Sequence, residues 1–197
     1  VLSVIRLEGA RLVVVRHAPV AVRGICYGQS DVPTTLPAGE AADAVYASLH
    51  GASFSRIVTS PFERTRPVAQ RLADRFQCPV FVDARVSELS FGAWEGRTWE
   101  ALEAEDPVRY ARWMERWRTE APPDGESLPA FEARIRSWCS ELAASAGEPS
   151  DARVLVVTHA GVVRMLRAIV KRASYEDELA HPVHHLTPER VDGILPR

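Results

Sequence analysis

The chain of 197 residues is poor in several things, and each shortage closes off a class of function. It has three cysteines, Cys26, Cys78 and Cys139, an odd number at wide spacing with no CxxC pair. A disulfide framework and a thiolate zinc site are both unsupported by that pattern. It has one lysine, Lys171; every other basic side chain is arginine, so no single arginine is evidence of function by its presence alone. The formal net charge is only -2, which offers no bulk attraction to nucleic acid. No run approaches the roughly 18 apolar residues of a membrane span. The opening VLSVIRLEGA has neither a basic leader nor a small-residue cleavage pattern. The expectation is a soluble, cytoplasmic protein without nucleic-acid or membrane partners. With 46% hydrophobic and 25% charged residues, it should fold as a single domain over 1–197, with room for an insertion.

Two distant segments are nearly the same. Arg11 to Ala18 reads RLVVVRHA, and Arg153 to Ala160 reads RVLVVTHA. Each is a branched apolar run that stops at a histidine. Such runs are strands buried on both faces, as in the centre of a parallel sheet. Ligands of open α/β sheets bind beyond the carboxyl ends of the strands. His17 and His159 should therefore share that edge, with Arg16 beside them. Two imidazoles and a guanidinium suit an anion, above all a phosphate.

Between these segments, strand and helix alternate. Helical composition at 38–49 comes after a loop rich in glycine and proline, RIVT at 56–59 reads as a strand, 62–76 as a helix that Pro67 inside it can start late or kink, and PVFV at 79–82 as a third strand. That rhythm predicts a parallel sheet with right-handed crossovers. It breaks in the loop 85–96. Asp106 and Pro107 are N-cap and first-turn signals for a helix carrying Tyr110, Trp113, Met114 and Trp117 on one stripe, better suited to a core than to a ligand platform. After the turn at Pro122–Gly125, Ser127 can cap a helix to about Ala146. The strand 154–157 and a helix 162–172 come next, and 183–186 and 191–195 are candidate edge strands. The fold expected is an α/β three-layer sandwich, a mostly parallel sheet flanked by helices. A helical cap from about 97 to 147 should cover the carboxyl edge of the strands.

Chemistry-bearing residues fall at those strand ends. A neutral imidazole at His17 is a competent nucleophile toward phosphorus. Nearby cations would keep it neutral, and a backbone carbonyl at its other nitrogen would fix the tautomer. Arg64, in Ser60-Pro61-Phe62-Glu63-Arg64, comes after the strand RIVT; expected in a first helical turn, its charge opposes the helix dipole unless an anion binds there. Cleaving a phosphate ester needs a proton for the leaving oxygen, which Glu88 or Glu95 can supply; residue type does not choose between them. His159-Ala160-Gly161 precedes a helix whose backbone N–H groups suit an anion.

Arg16-His17-Ala18, Ser60 to Arg64, Glu88 ahead of FGAWEG at 91–96, and Thr158-His159-Ala160-Gly161 stand in the order of the histidine phosphatase superfamily, the phosphoglycerate-mutase-like proteins, which the chain resembles from about Arg11 to Arg172. The resemblance implies that His17 is phosphorylated, that Arg16, Arg64 and His159 hold the phosphoryl group, and that Glu88 rather than Glu95 is the proton donor. Gly24 to Pro33, FGAWEGR from Phe91 and PPDGES from Pro122 look most like the α-ribazole phosphate phosphatase branch. A small phosphorylated metabolite is then the expected substrate, α-ribazole phosphate the first to consider. No cofactor and no metal are expected, and dimers are common in such families, so a homodimer is one expected assembly.

Two positions depart from the family pattern: Ala18 replaces a glycine, and Arg23 stands where many members carry an asparagine. Arg23, Trp94, Ala160 and Glu126 are the further candidates for substrate binding, Trp94 with Trp99 at the pocket mouth. His181, His184 and His185 lack a carboxylate at metal-ligand spacing and are interrupted by Pro182. The long insertion and tail of cofactor-dependent mutases are absent, which favours hydrolysis. Mutase-type transfer, a protein phosphohistidine phosphatase and a non-catalytic phosphate-binding module are the alternatives.

Overall fold

In the computed structural model, which describes residues 11–144 and 153–194, the chain opens with strand β1 (Leu12–Arg16). Helix α1 (Ala38–Ser48), β2 (Arg56–Thr59), α2 (Arg66–Phe76) and β3 (Val80–Val82) come next. A long loop with two single 3-10 turns leads to α3 (Trp99–Glu105), α4 (Pro107–Arg116) and α5 (Leu128–Ala144). Then come β4 (Val154–Thr158), α6 (Ala160–Lys171), α7 (Tyr175–Leu179) and the short β5 (Glu189–Arg190). Among the described residues no helix is long and apolar enough to cross a membrane.

The strand order is β3-β2-β4-β1-β5, parallel except for β5, which pairs antiparallel with β1. The two repeated segments lie side by side. Leu12 sits opposite Val154 and Arg16 opposite Thr158, so β1 and β4 end level. The next residue keeps the pairing, with the His17 N–H donating to the Thr158 carbonyl at 2.9 Å.

Alternation along these strands builds three layers. Leu12, Val14, Val154 and Val156 pack with Phe131, Ile135 and Trp138 of α5 and Val162, Met165 and Leu166 of α6. Val13, Val15, Leu155 and Val157 pack with Val45 of α1 and Val68 and Leu72 of α2. Burial of each such side chain contributes about 1.5–3 kcal/mol, which anchors both faces of the sheet.

The stretch expected as a cap divides by role. α5 belongs to a face layer. α3 and α4 instead gather a satellite core on the loops that leave β1 and β3: Cys26, Trp94 and Leu102 are buried, with Phe91, Trp99, Tyr110 and Trp113 around them. Trp99 and Trp113 stack at 6.2 Å with an interplanar angle of 14°, and Trp94 meets Trp113 edge-on at 5.1 Å. The α4 stripe therefore serves packing at Tyr110 and Trp113. Met114 is exposed, and Trp117 turns to Tyr175 of α7.

Some boundaries differ from expectation. α2 starts at Arg66, the late start that Pro67 within 62–76 allowed, because proline has no N–H to give and fits the first turn. α6 starts at Ala160, directly after His159. Neither tail segment expected as a strand is one. Val183 and Val191 are buried as single side chains, while Glu189–Arg190 between them pairs with β1. Leu195 and the expected helix end near Ala146 lie outside the described residues.

Candidate active site

Four adjacent strands deliver their succeeding residues to one edge: His17 after β1, His159 after β4, Ser60 and Arg64 after β2, and Glu88 after β3. The His17 and His159 rings stand 5.3 Å apart at 59°, both buried. His17 Nδ1 is 2.7 Å from the Ala18 carbonyl. A carbonyl can only accept, so Nδ1 carries the proton and Nε2 the lone pair. Burial lowers the His17 pKa from 6.5 to about 3; the Ala18 hydrogen bond opposes this, and the charges of Arg64 and Arg16 reinforce it. Ala18 is itself buried against the core, so the methyl that replaces a hydrogen is accommodated.

His159 is arranged differently. Arg64 Nε donates to its Nδ1 at 3.3 Å, and its Nε2 lies 2.8 Å from Ser60 Oγ. Nδ1 must accept from a guanidinium, so in the neutral ring Nε2 holds the proton and donates to the serine. Burial, then the charge of Arg64, keeps His159 neutral, well below its ordinary value. Both ring nitrogens are occupied, so the expected direct grip of His159 on a phosphoryl group is not offered in this state. Its visible work is to orient Arg64.

Arg64 is not in a helical turn, as expected, but in the turn before α2, where its side chain is completely buried. NH1 donates to the Ser30 carbonyl at 2.7 Å and NH2 to the Gly28 carbonyl at 2.5 Å. The Phe62 ring lies under the guanidinium at 4.7 Å. With Nε on His159, one N–H of each terminal nitrogen makes no hydrogen bond, and NH1 also pairs with the Asp31 carboxylate at 3.8 Å. Arg16 is half-buried and gives NH1 to the Val183 carbonyl at 2.9 Å.

Glu88 and Glu95 separate by geometry. Glu95 accepts from Gln29 N, Ser30 Oγ and Phe91 N at 2.5–2.9 Å and ties the loop after β1 to the loop after β3. Glu88 lies at the head of α6, accepting from Gly161 N and Leu89 N at 3.0 Å each. A side chain at Gly161 would put Cβ 2.0 Å from Glu88 Oε1, so only glycine admits this approach.

The remaining expected binders fare unevenly. Ala160 heads α6 within the cluster. Trp94 is 5% exposed in the aromatic satellite core, which corrects its placement at a pocket mouth: its ring area is spent on Tyr110 and Trp113. Arg23 is exposed and shares none of the hydrogen bonds of the histidine cluster. Glu126 gives both carboxylate oxygens to Arg134, at 2.9 and 2.7 Å, which corrects its reading as a substrate ligand.

Among the described residues no three His, Cys, Asp or Glu side chains form a metal-binding group. Of the tail histidines, His181 and His184 are exposed, and His185 reaches the site: its Nδ1 is 2.6 Å from the His17 carbonyl, and its ring meets that of His17 edge-on at 5.5 Å. Sequence reasoning missed the roles of His185, Ser60 and Arg134. The first was visible only as part of a cluster without metal spacing, the second as part of a motif, and the third not at all.

The arrangement resembles known proteins along most of its length. An adenosylcobalamin/alpha-ribazole phosphatase of Escherichia coli (strain K12) is 31% identical over 160 residues, 80% of this chain and 77% of that one. The structure of the alpha-ribazole phosphatase from Shigella flexneri shares the fold, with a TM-score of 0.82 at 24% identity over 93% of this chain and 96% of its own. A mycobacterial glucosyl-3-phosphoglycerate phosphatase in complex with VO3 superposes with a TM-score of 0.75 at 28% identity, covering 91% and 90% of the two chains. The pattern that defines one large family matches residues 12–188, nearly the whole described chain, and by that match the protein belongs to the histidine phosphatase superfamily (branch 1).

Proposed function

We propose that the protein is a phosphomonoesterase that works through a phosphohistidine on a small phosphorylated metabolite. The observation that carries this reading is the fixed tautomer of His17, held by the Ala18 carbonyl with Nε2 left as a neutral nucleophile. In the first step Nε2 attacks phosphorus, the P–O ester bond breaks, and Glu88 gives its proton to the leaving alcohol oxygen. In the second, Glu88 takes a proton from water, the water oxygen attacks phosphorus, and the P–N bond breaks. Inorganic phosphate leaves and His17 is restored. The positive charges of Arg16 and Arg64 offset the charge on the phosphoryl oxygens, the main source of rate in phosphoryl transfer. His159 contributes by aiming Arg64. Nucleophile, acid and cations all come from side chains, so the proposed route is metal-independent. Relatives named as alpha-ribazole phosphatases support α-ribazole phosphate as the first substrate to assay.

Hydrolysis of p-nitrophenyl phosphate in the presence of EDTA, by the native protein and His17→Ala, tests the reading. Turnover that survives EDTA, vanishes in the variant and passes through an acid-labile phosphorylated His17 is expected. Equal turnover in both proteins would remove His17 as the nucleophile.

A further inference from the structure

We propose that Arg134 is the positioning residue of the proton donor, holding the loop that carries Glu88, with Glu126 as its counter-ion. The inference rests on the reading of Glu88 as general acid and deepens it.

Arg134 projects from α5, one layer behind the site, toward the loop 83–91. Its NH1 donates to the carbonyls of Arg85 at 2.6 Å and Ser87 at 3.0 Å, and its NH2 to that of Glu88 at 3.2 Å. Nε and NH2 also bind the two oxygens of Glu126, at 2.9 and 2.7 Å. A guanidinium has five N–H bonds in a rigid fork, and here they meet five acceptors. No donor is left over for a phosphate, so this arginine acts through the loop rather than on substrate. The pair is mostly buried, with side-chain exposures of 17% and 16%. The Phe131 ring lies 4.8 Å from the guanidinium and holds it in plane.

Three carbonyls drawn to one cation fix the path of the loop. Glu88 then reaches the head of α6, where Gly161 N and its own neighbour Leu89 N orient the carboxylate. Gln29 adds a second donor to the Glu88 carbonyl, at 2.9 Å. Gln29 lies between Gly28 and Ser30, the two carbonyls that hold Arg64. The acid and the phosphate-facing cation are thus registered through one short loop. Lysine could not replace Arg134, since its single ammonium cannot span carbonyls and carboxylate in one plane.

Leaving-group dependence separates this role from a merely structural one. An alkyl phosphate needs its leaving oxygen protonated; p-nitrophenolate leaves largely without help. Displacing a general acid forfeits a contribution of about 10²–10⁴ on the first substrate and little on the second. Turnover of both esters is to be compared for the native protein, Arg134→Lys, Glu126→Gln and His17→Ala, with thermal melts for each. Arg134→Lys should lose about 10²-fold on the alkyl ester and tenfold or less on p-nitrophenyl phosphate; Glu126→Gln should shift the ratio the same way by less. Should Arg134→Lys fail to fold, the milder Glu126→Gln decides. Equal losses on both esters, or none, overturn the proposal while leaving the phosphohistidine reading intact. Full activity in His17→Ala would sink that reading, and the positioning role with it.

Discussion

β1 with His17 and β4 with His159 start from almost the same eight letters and end as opposites. Both strands are buried on both faces and stop level. The divergence begins one residue later. After His17 the chain enters a loop through Ala18-Pro19, and the imidazole bonds to backbone, leaving one nitrogen free. After His159 it enters α6, and the imidazole bonds to two side chains, leaving none. Equal strands thus give equal positions, and the segment leaving each strand, loop or helix, sets the role.

The largest expected break in that comparison comes from replacing each histidine in turn. His17→Ala should lower kcat for p-nitrophenyl phosphate roughly 10⁵-fold, as loss of a nucleophile does. His159→Ala should lower it about 10²–10³-fold, the size of a lost electrostatic support, and still form the phosphoenzyme. Comparable losses would mean that the two rings do not divide labour. Next is Gly161→Ala, which has no counterpart after His17. Its Cβ would displace the Glu88 carboxylate, and alkyl phosphate turnover should fall about 10²-fold with p-nitrophenyl phosphate far less affected. A uniform small change would show the carboxylate free to move without consequence.

Ser60→Ala sharpens the contrast through stability. It leaves the His159 Nε2–H buried without a partner, at about 1–3 kcal/mol, readable as a lower midpoint in urea. His17, bonded to backbone, has no side-chain partner whose removal could do the same. The gentlest probe is acid. Both histidines have folded pKa values below the unfolded value of about 6.5, so the unfolded chain binds more protons below that pH. Stability should be full well above pH 6.5 and fall from there toward pH 3, His17 alone accounting for about 1.4 kcal/mol at pH 5.5. While the fold persists, kcat/KM should show no acid limb at 6.5 from His17. A limb there, without loss of structure, would mean that the nucleophile titrates as an exposed imidazole.

Much of this was legible because a few local signals agreed. LVVVR and VLVVT could bury only as central strands, and a histidine at each end had to reach the ligand edge. RIVT put Arg64 nearby, and the Asp106-Pro107 signal opened α4 as read. The features that escaped depend on partners far along the chain. β5 is two polar residues, a strand only because β1 offers an open edge. Trp94 looked available because a turn surrounds it, until α4 supplied Trp113. Arg134 was one arginine among many; the three carbonyls that give it meaning converge only after folding. His185 was weighed for metal spacing, the wrong test for a residue that contacts a backbone oxygen 168 positions away.

The aromatic satellite core also makes the protein a reporter on itself. Of its five tryptophans, Trp94 and Trp99 each lie in ring contact with Trp113, and Trp138 is alone in the face layer. Stacked indoles share excitation, so near-ultraviolet circular dichroism and emission should be dominated by that cluster. The intrinsic optical signal would then track the hold of α3 and α4 on the loops after β1 and β3, and a ligand that moves those loops could be titrated without any label.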